Sequence, residues 1–164
     1  TCHIEHVKAQ AHCTPGVEDV DYQNIVACFP QPSPSSPCEY GAVAKEDWPA
    51  PLQSSDFISP LKPNCESHFT FRKNGGIDGN AVPRATKETI KHLNLNHHYL
   101  TGHRSEILKG SIPADARKRK LLLNKIEKSE QDLDNGSAVE LREFHVALKQ
   151  VLKKQVRKDT HRGR

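Results

Sequence analysis

Methionine is absent from all 164 residues, position 1 included, so the numbering is expected to start after processing or inside a longer chain. Aromatic residues are scarce, nine in all, and seven of them precede residue 72. Leu, Ile, Val and Phe total 36, close to the level at which chains stop building a packed interior. One large core is therefore excluded. No apolar run approaches the roughly 20 residues that a membrane-spanning helix needs. The five cysteines, Cys2, Cys13, Cys28, Cys38 and Cys65, are odd in number and irregular in spacing. That argues against a secreted disulfide framework and for reduced intracellular thiols. G-x-S-x-G, P-loop and H-E-x-x-H patterns are all missing. A thin core also gives poor support to a set of groups that must stay within reach of one another. The chain reads as non-enzymatic and calls for no cofactor.

What is present falls into two unlike halves. Residues 1–80 carry nine of the eleven prolines, all five cysteines, and ten Asp and Glu against five Lys and Arg, a net charge of −5. Residues 81–164 carry two prolines, no cysteine, and ten Asp and Glu against nineteen Lys and Arg, a net charge of +9. Proline lacks a backbone donor and fixes φ, so the first half is not expected to build long helices or central strands. The expected fold is a mostly irregular, extended N-terminal half followed by a small α-helical C-terminal half. Four segments are drawn: a Pro- and Cys-containing strap over 1–83, short helices and a linker over 84–110, a basic helical hairpin over 111–158, and a basic tail over 159–164.

Within the strap, PQPSPSSP at 30–37 favours polyproline II structure. YQNIVACF at 22–29 suits one strand. HFTFRKNGGI at 68–77 places Phe69 and Phe71 on one face ahead of an Asn-Gly-Gly turn, so a short β-hairpin near 68–82 is compatible with the pattern. In the second half Thr86 is expected to cap a helix reaching about His97, and a second short one to run from Ser105 to Lys109. Pro113 suits the first turn of a longer helix ending near Leu133. Ser137 and Glu140 have capping-box spacing and predict a last helix from Ala138 to about Arg157. Its apolar face would carry Leu141, Phe144, Leu148, Val151 and Leu152, with Phe144 mid-helix. Ala116, Leu122, Leu123, Ile126 and Leu133 would line a facing stripe, giving an antiparallel helical hairpin.

Several clusters are candidates for chemistry. Cys2, His6, His12 and Cys13, with His3 among them, are zinc-ligand types within twelve residues. They lack C-x-x-C spacing, and an ordinary polar terminus is the preferred reading. His92, His97, His98 and His103 have no helical i, i+4 pair and are read as surface histidines. Trp48, Phe57, Ile58, Phe69 and Phe71 alternate with prolines and are expected to anchor the strap in partner pockets. Arg117, Lys118, Arg119 and Lys120 form one basic block, which Lys153, Lys154 and Arg157 extend. Such blocks neutralise acidic polymers. A stacking platform for single strands is missing, because only Tyr99 and Phe144 are aromatic in this half.

The expectation is a structural or interaction protein ordered within a larger assembly that has an acidic, tubulin-like surface. A cytoskeletal or ciliary microtubule lattice fits that description, with an intracellular, cytoplasmic location. Nucleic-acid association as a ribosomal or chromatin subunit, with a nuclear location, is the second class. A secreted disulfide-bearing domain is the third.

Overall fold

The computed structural model describes residues 3–28, 39–80 and 83–162. The Pro/Ser-rich segment at 30–37 lies outside them, as do Cys2 and Cys38. The fold is mixed: helices with two small antiparallel two-stranded sheets. In chain order the strands are β1 His3–His6, β2 Ile25–Cys28, β3 Phe69–Phe71 and β4 Ile77–Gly79. The helices are α1 Ala42–Lys45, α2 Pro83–His92, α3 His98–Ser111, α4 Ala116–Asp134 and α5 His145–Arg162. Short 3-10 turns fill Gln10–His12, Tyr22–Asn24, Pro51–Asp56 and Cys65–His68. The chain divides into two compact units, residues 1–69 with 77–98, and residues 70–76 with 99–164. These units cut across the four segments expected from composition, because residues 77–98 belong with the N-terminal residues.

The first unit replaces the expected extended strap with a folded body. β1 and β2 pair antiparallel in the register His3↔Cys28 to His6↔Ile25. The intervening loop is stitched by one buried amide side chain. Asn24 Oδ1 accepts from the Lys8 amide at 2.7 Å, and its Nδ2 donates to the Glu18 carbonyl at 2.9 Å. Trp48, Phe57, Ile58, Phe69 and Ile77 are buried. The Trp48 ring meets Phe57 edge-on, with centroids 5.2 Å apart, and stacks on His92 at 4.3 Å with 5° between the planes. Polar side chains complete the packing. The Ile58 amide donates to Thr89 Oγ1 at 2.9 Å. Asn96 satisfies both backbone groups of Ile77, accepting from its amide at 2.8 Å and donating to its carbonyl at 2.9 Å. In place of a strap, sparse aromatics suffice to fold this unit because they meet in one place and the backbone groups around them find side-chain partners.

The second unit packs α3, α4 and α5 around Leu108, Leu123, Ile126, Ala147, Leu148, Val151 and Leu152. Steps of three and four residues put these on single helix faces. Ion pairs of Lys and Arg link α4 to α5: Arg119–Asp159 at 2.7 Å, Glu127–Lys153 at 2.9 Å and Glu130–Lys149 at 2.8 Å. Segment 70–76 joins this unit through Arg104, which is 3% exposed, donates to the Gly75 carbonyl at 2.6 Å and lies 5.9 Å over the Phe71 ring. Burial pulls the Arg104 pKa below its ordinary value.

The helix boundaries depart from expectation at one instructive place. α5 begins at His145, not Ala138, and residues 135–144 are not helical. The Gly136 amide donates to the Leu133 carbonyl and the Ser137 amide to the Asp132 carbonyl, both at 2.9 Å, with Gly136 at φ +80°. That is a Schellman cap closing α4. It engages the very amide that a capping box would have offered to Glu140, so Ser137 ends one helix instead of opening the next. Phe144 is accordingly not mid-helix. It sits at φ +51°, just before α5, partly buried against the core. Leu141 lies outside the helix, and Ala116 and Leu133 are exposed. Likewise α4 is capped by Asp115, whose carboxylate accepts from the Lys118 amide at 2.8 Å. α3 spans His98–Ser111 and runs through Gly110, well beyond the short helix expected from Ser105 to Lys109.

Gly75 and Gly136 share a positive φ but not a surrounding. A Cβ on Gly75 would press directly against the Thr101 carbonyl, whereas one on Gly136 would meet open space. Gly75→Ala is expected to destabilise the second unit by about 3 kcal/mol or more, from left-handed strain plus overlap. Gly136→Ala is expected to cost about 1–2 kcal/mol, from strain alone. Urea unfolding followed by helical circular dichroism measures both, and equal costs would contradict the packing at Gly75.

Candidate functional site

The basic residues do not form one uniform patch. Arg119 is largely covered: its guanidinium holds Asp159 at 2.7 and 2.9 Å and the Pro113 carbonyl at 2.9 Å, and it also donates to the Ala114 carbonyl. Lys153 is engaged by Glu127. Both residues pair with a carboxylate of the other helix, Arg119 largely covered and Lys153 still partly exposed. Lys154 is exposed and donates to the Phe71 carbonyl at 3.3 Å. Arg117, Lys118, Lys120, Arg157 and Lys158 are exposed and make no side-chain ion pair among the described residues. Because Arg119 near the start of α4 pairs with Asp159 near the end of α5, the two basic segments meet at one end of the helix pair. A cleft of about 300 Å³ in the same unit is lined by Lys73, Lys109 and Arg119 together with Gln155 and apolar carbons, with no carboxylate in its lining.

The aromatic anchors fare differently. Trp48, Phe57, Ile58 and Phe69 are each 7–8% exposed, so as folded they offer a partner nothing. Phe71 is half-buried against the second unit's core. Two histidines expected at the surface are packed. His92 lies on Trp48, and His97 packs on Tyr40 with centroids 5.3 Å apart while facing Glu39 at 3.4 Å.

Among the metal candidates, Cys2 is outside the described residues. His6 Nε2 bonds the Asp19 carbonyl at 2.9 Å, and the Cys13 thiol faces the Lys8 and Ala9 carbonyls at 3.5 Å. No group of three or more His, Cys, Asp or Glu is placed to hold a metal among the described residues. Within the same limits, no helix is long and apolar enough to cross a membrane.

A second site was not foreseen. The first unit contains a cavity of about 220 Å³ whose walls are almost entirely carbon. Val26 and Cys28 reach it from one face of β2, Ala42 and Lys45 from α1, and Cys65, Phe69, Thr89 and Leu93 from further along the chain. Lys45 is 3% exposed, with its ammonium 3.1 Å from Glu5 Oε1. Cys13, Cys28 and Cys65 are not bridged. Burial, and then the Glu66 charge, pushes the Cys65 thiol above its ordinary pKa. The alternation of Val26 and Cys28 was the one signal available in the sequence; the other walls come from segments too far apart to associate by spacing.

No protein-family model matches this chain, and no curated protein matches it.

The sharpest electrostatic feature lies in the β1–β2 loop. Glu18 takes the Lys8 ammonium on both oxygens at 2.6 Å and the Thr14 amide at 2.8 Å. The Lys8 contact first, and the Thr14 amide second, lower its pKa from 4.5 to about 2. A carboxyl depressed on folding contributes stability above its unfolded pKa and loses it as pH falls through the folded one. The loop is therefore expected to hold through pH 4.5 and to loosen towards about 2. Carboxyl ¹³C titration by NMR checks this, and Lys8→Ala should return the midpoint towards 4.5. An unmoved midpoint in that variant would remove Lys8 as the cause.

Proposed function

We propose that this protein is a non-enzymatic interaction protein that joins a larger assembly through an antiparallel hairpin of α4 and α5, whose basic end docks on an acidic protein surface of the tubulin type. The observation that carries this reading is the Arg119–Asp159 pair, which brings the Arg117–Lys120 block beside Arg157 and Lys158. Five exposed cations gathered at one end raise the local potential far more than the same charges spread along a helix. Cytoplasmic, cytoskeletal or ciliary placement follows from that partner class. The aromatic residues of the first unit stabilise it internally in this reading, and Arg119 and Lys153 set the geometry without touching the partner.

Co-sedimentation of the full chain with stabilised microtubules tests it, with intact tubulin and with tubulin stripped of its acidic tails. Replacing Arg117, Lys118 and Lys120 together by Ala is expected to weaken binding by about tenfold or more at low salt, with helicity retained. Removing the tails should weaken the parent chain comparably. Full binding by the triple variant would overturn the reading. Tight binding to duplex or single-stranded RNA, with a steep salt slope and no microtubule binding, would transfer the basic end to a nucleic-acid partner.

A further inference from the structure

We infer that the cavity in the first unit is a binding site for one small, uncharged, apolar molecule the size of a single ring or a short alkyl chain. The inference concerns the first unit alone and does not rest on the partner reading above.

The pocket of about 220 Å³ is partly open to solvent, so its carbon walls stand against water, a cost that a bound apolar molecule removes. Water inside it is easily displaced, because these walls offer it almost no polar partners. An apolar cavity of about 150 Å³ already suffices for benzene, so this volume admits a molecule of that order or slightly larger. The wall chemistry sets the class. Val26, Ile58, Phe69 and Leu93 contribute hydrocarbon, and Cys28 and Cys65 contribute soft, polarisable sulfur. Lys45 lines the cavity with its stem while its ammonium, buried and facing Glu5, shows almost no surface. The ammonium and the Glu5 carboxylate oppose each other at 3.1 Å as an ion pair without a hydrogen bond, so the charge at the wall is balanced by charge alone. A charged or strongly hydrated ligand would have to leave water and gain nothing here.

The two cysteines supply the readout. In the full chain, alkylation of Cys28, Cys65 and Cys13 by iodoacetamide is followed peptide by peptide by mass spectrometry, at fixed pH, with toluene or benzoate as probe. Cys13 faces Asn24 and backbone carbonyls rather than the cavity and is the internal reference. Toluene at twice its dissociation constant is expected to slow Cys28 and Cys65 by about threefold through mass action, leaving Cys13 unchanged. Benzoate, of similar size but charged, should slow none of them. Ala42→Phe, which fills the cavity from α1, should slow both cysteines without any probe and abolish the toluene effect. If toluene fails to slow Cys28 and Cys65, or slows Cys13 equally, or benzoate matches it, the inference is wrong. Those outcomes are read on the parent chain, so they stand even if Ala42→Phe does not fold.

Discussion

The hydroxyl of Thr89 and the guanidinium of Arg104 do in this chain what larger proteins leave to aliphatic side chains. Thr89 is 1% exposed and accepts from the Ile58 amide; Arg104 is 3% exposed and donates to the Gly75 carbonyl. Too few apolar residues are available to fill two interiors, so the segments that lack regular structure are fixed by buried hydrogen bonds to side chains. Asn24 and Asn96 extend the same solution to the β1–β2 loop and to Ile77. Such contacts are individually modest but costly to leave half made, since an orphaned buried polar group loses its hydration without replacement. Each one therefore selects a single arrangement of backbone and leaves little room for alternatives.

That construction decides what could be read in the sequence. α4 and α5 were legible because local spacing fixes their buried faces: Leu123 and Ile126, then Leu148, Val151 and Leu152. The turn at Asn74-Gly75-Gly76 was legible for a similar reason, since its residues meet the conformational demand themselves. The first unit was not. Trp48 finds His92 across more than forty residues, and no periodicity announces it. The misplaced start of α5 has a different cause. Ser137-x-x-Glu140 and Asn135-Gly136 are both valid local signals, and they compete for one amide, which the glycine cap obtained. Local rules name the contenders there and tertiary packing chooses between them.

The basic end was half legible. The sequence shows which residues are cationic, but not that Arg119 and Lys153 are engaged by carboxylates of the other helix while their neighbours are not. Ion pairing between α4 and α5 thus sorts a run of similar residues into two kinds, those that hold the helices and those that face outward. The carbon-lined cavity has no counterpart in any sequence signal beyond β2, because a cavity is defined by walls, and walls come from everywhere.

The division into units also divides the charge. The first unit holds six Lys and Arg against eleven Asp and Glu, a net of −5, and the second holds eighteen against nine, a net of +9. An isoelectric point near 8.8 averages over that contrast. Copies of such a molecule repel through their overall charge of +4, yet each offers a neighbour a surface of opposite sign. Where the Debye length is long, the acidic unit of one copy and the basic unit of another attract. Added salt screens that attraction, so self-association of this chain is expected to weaken as ionic strength rises.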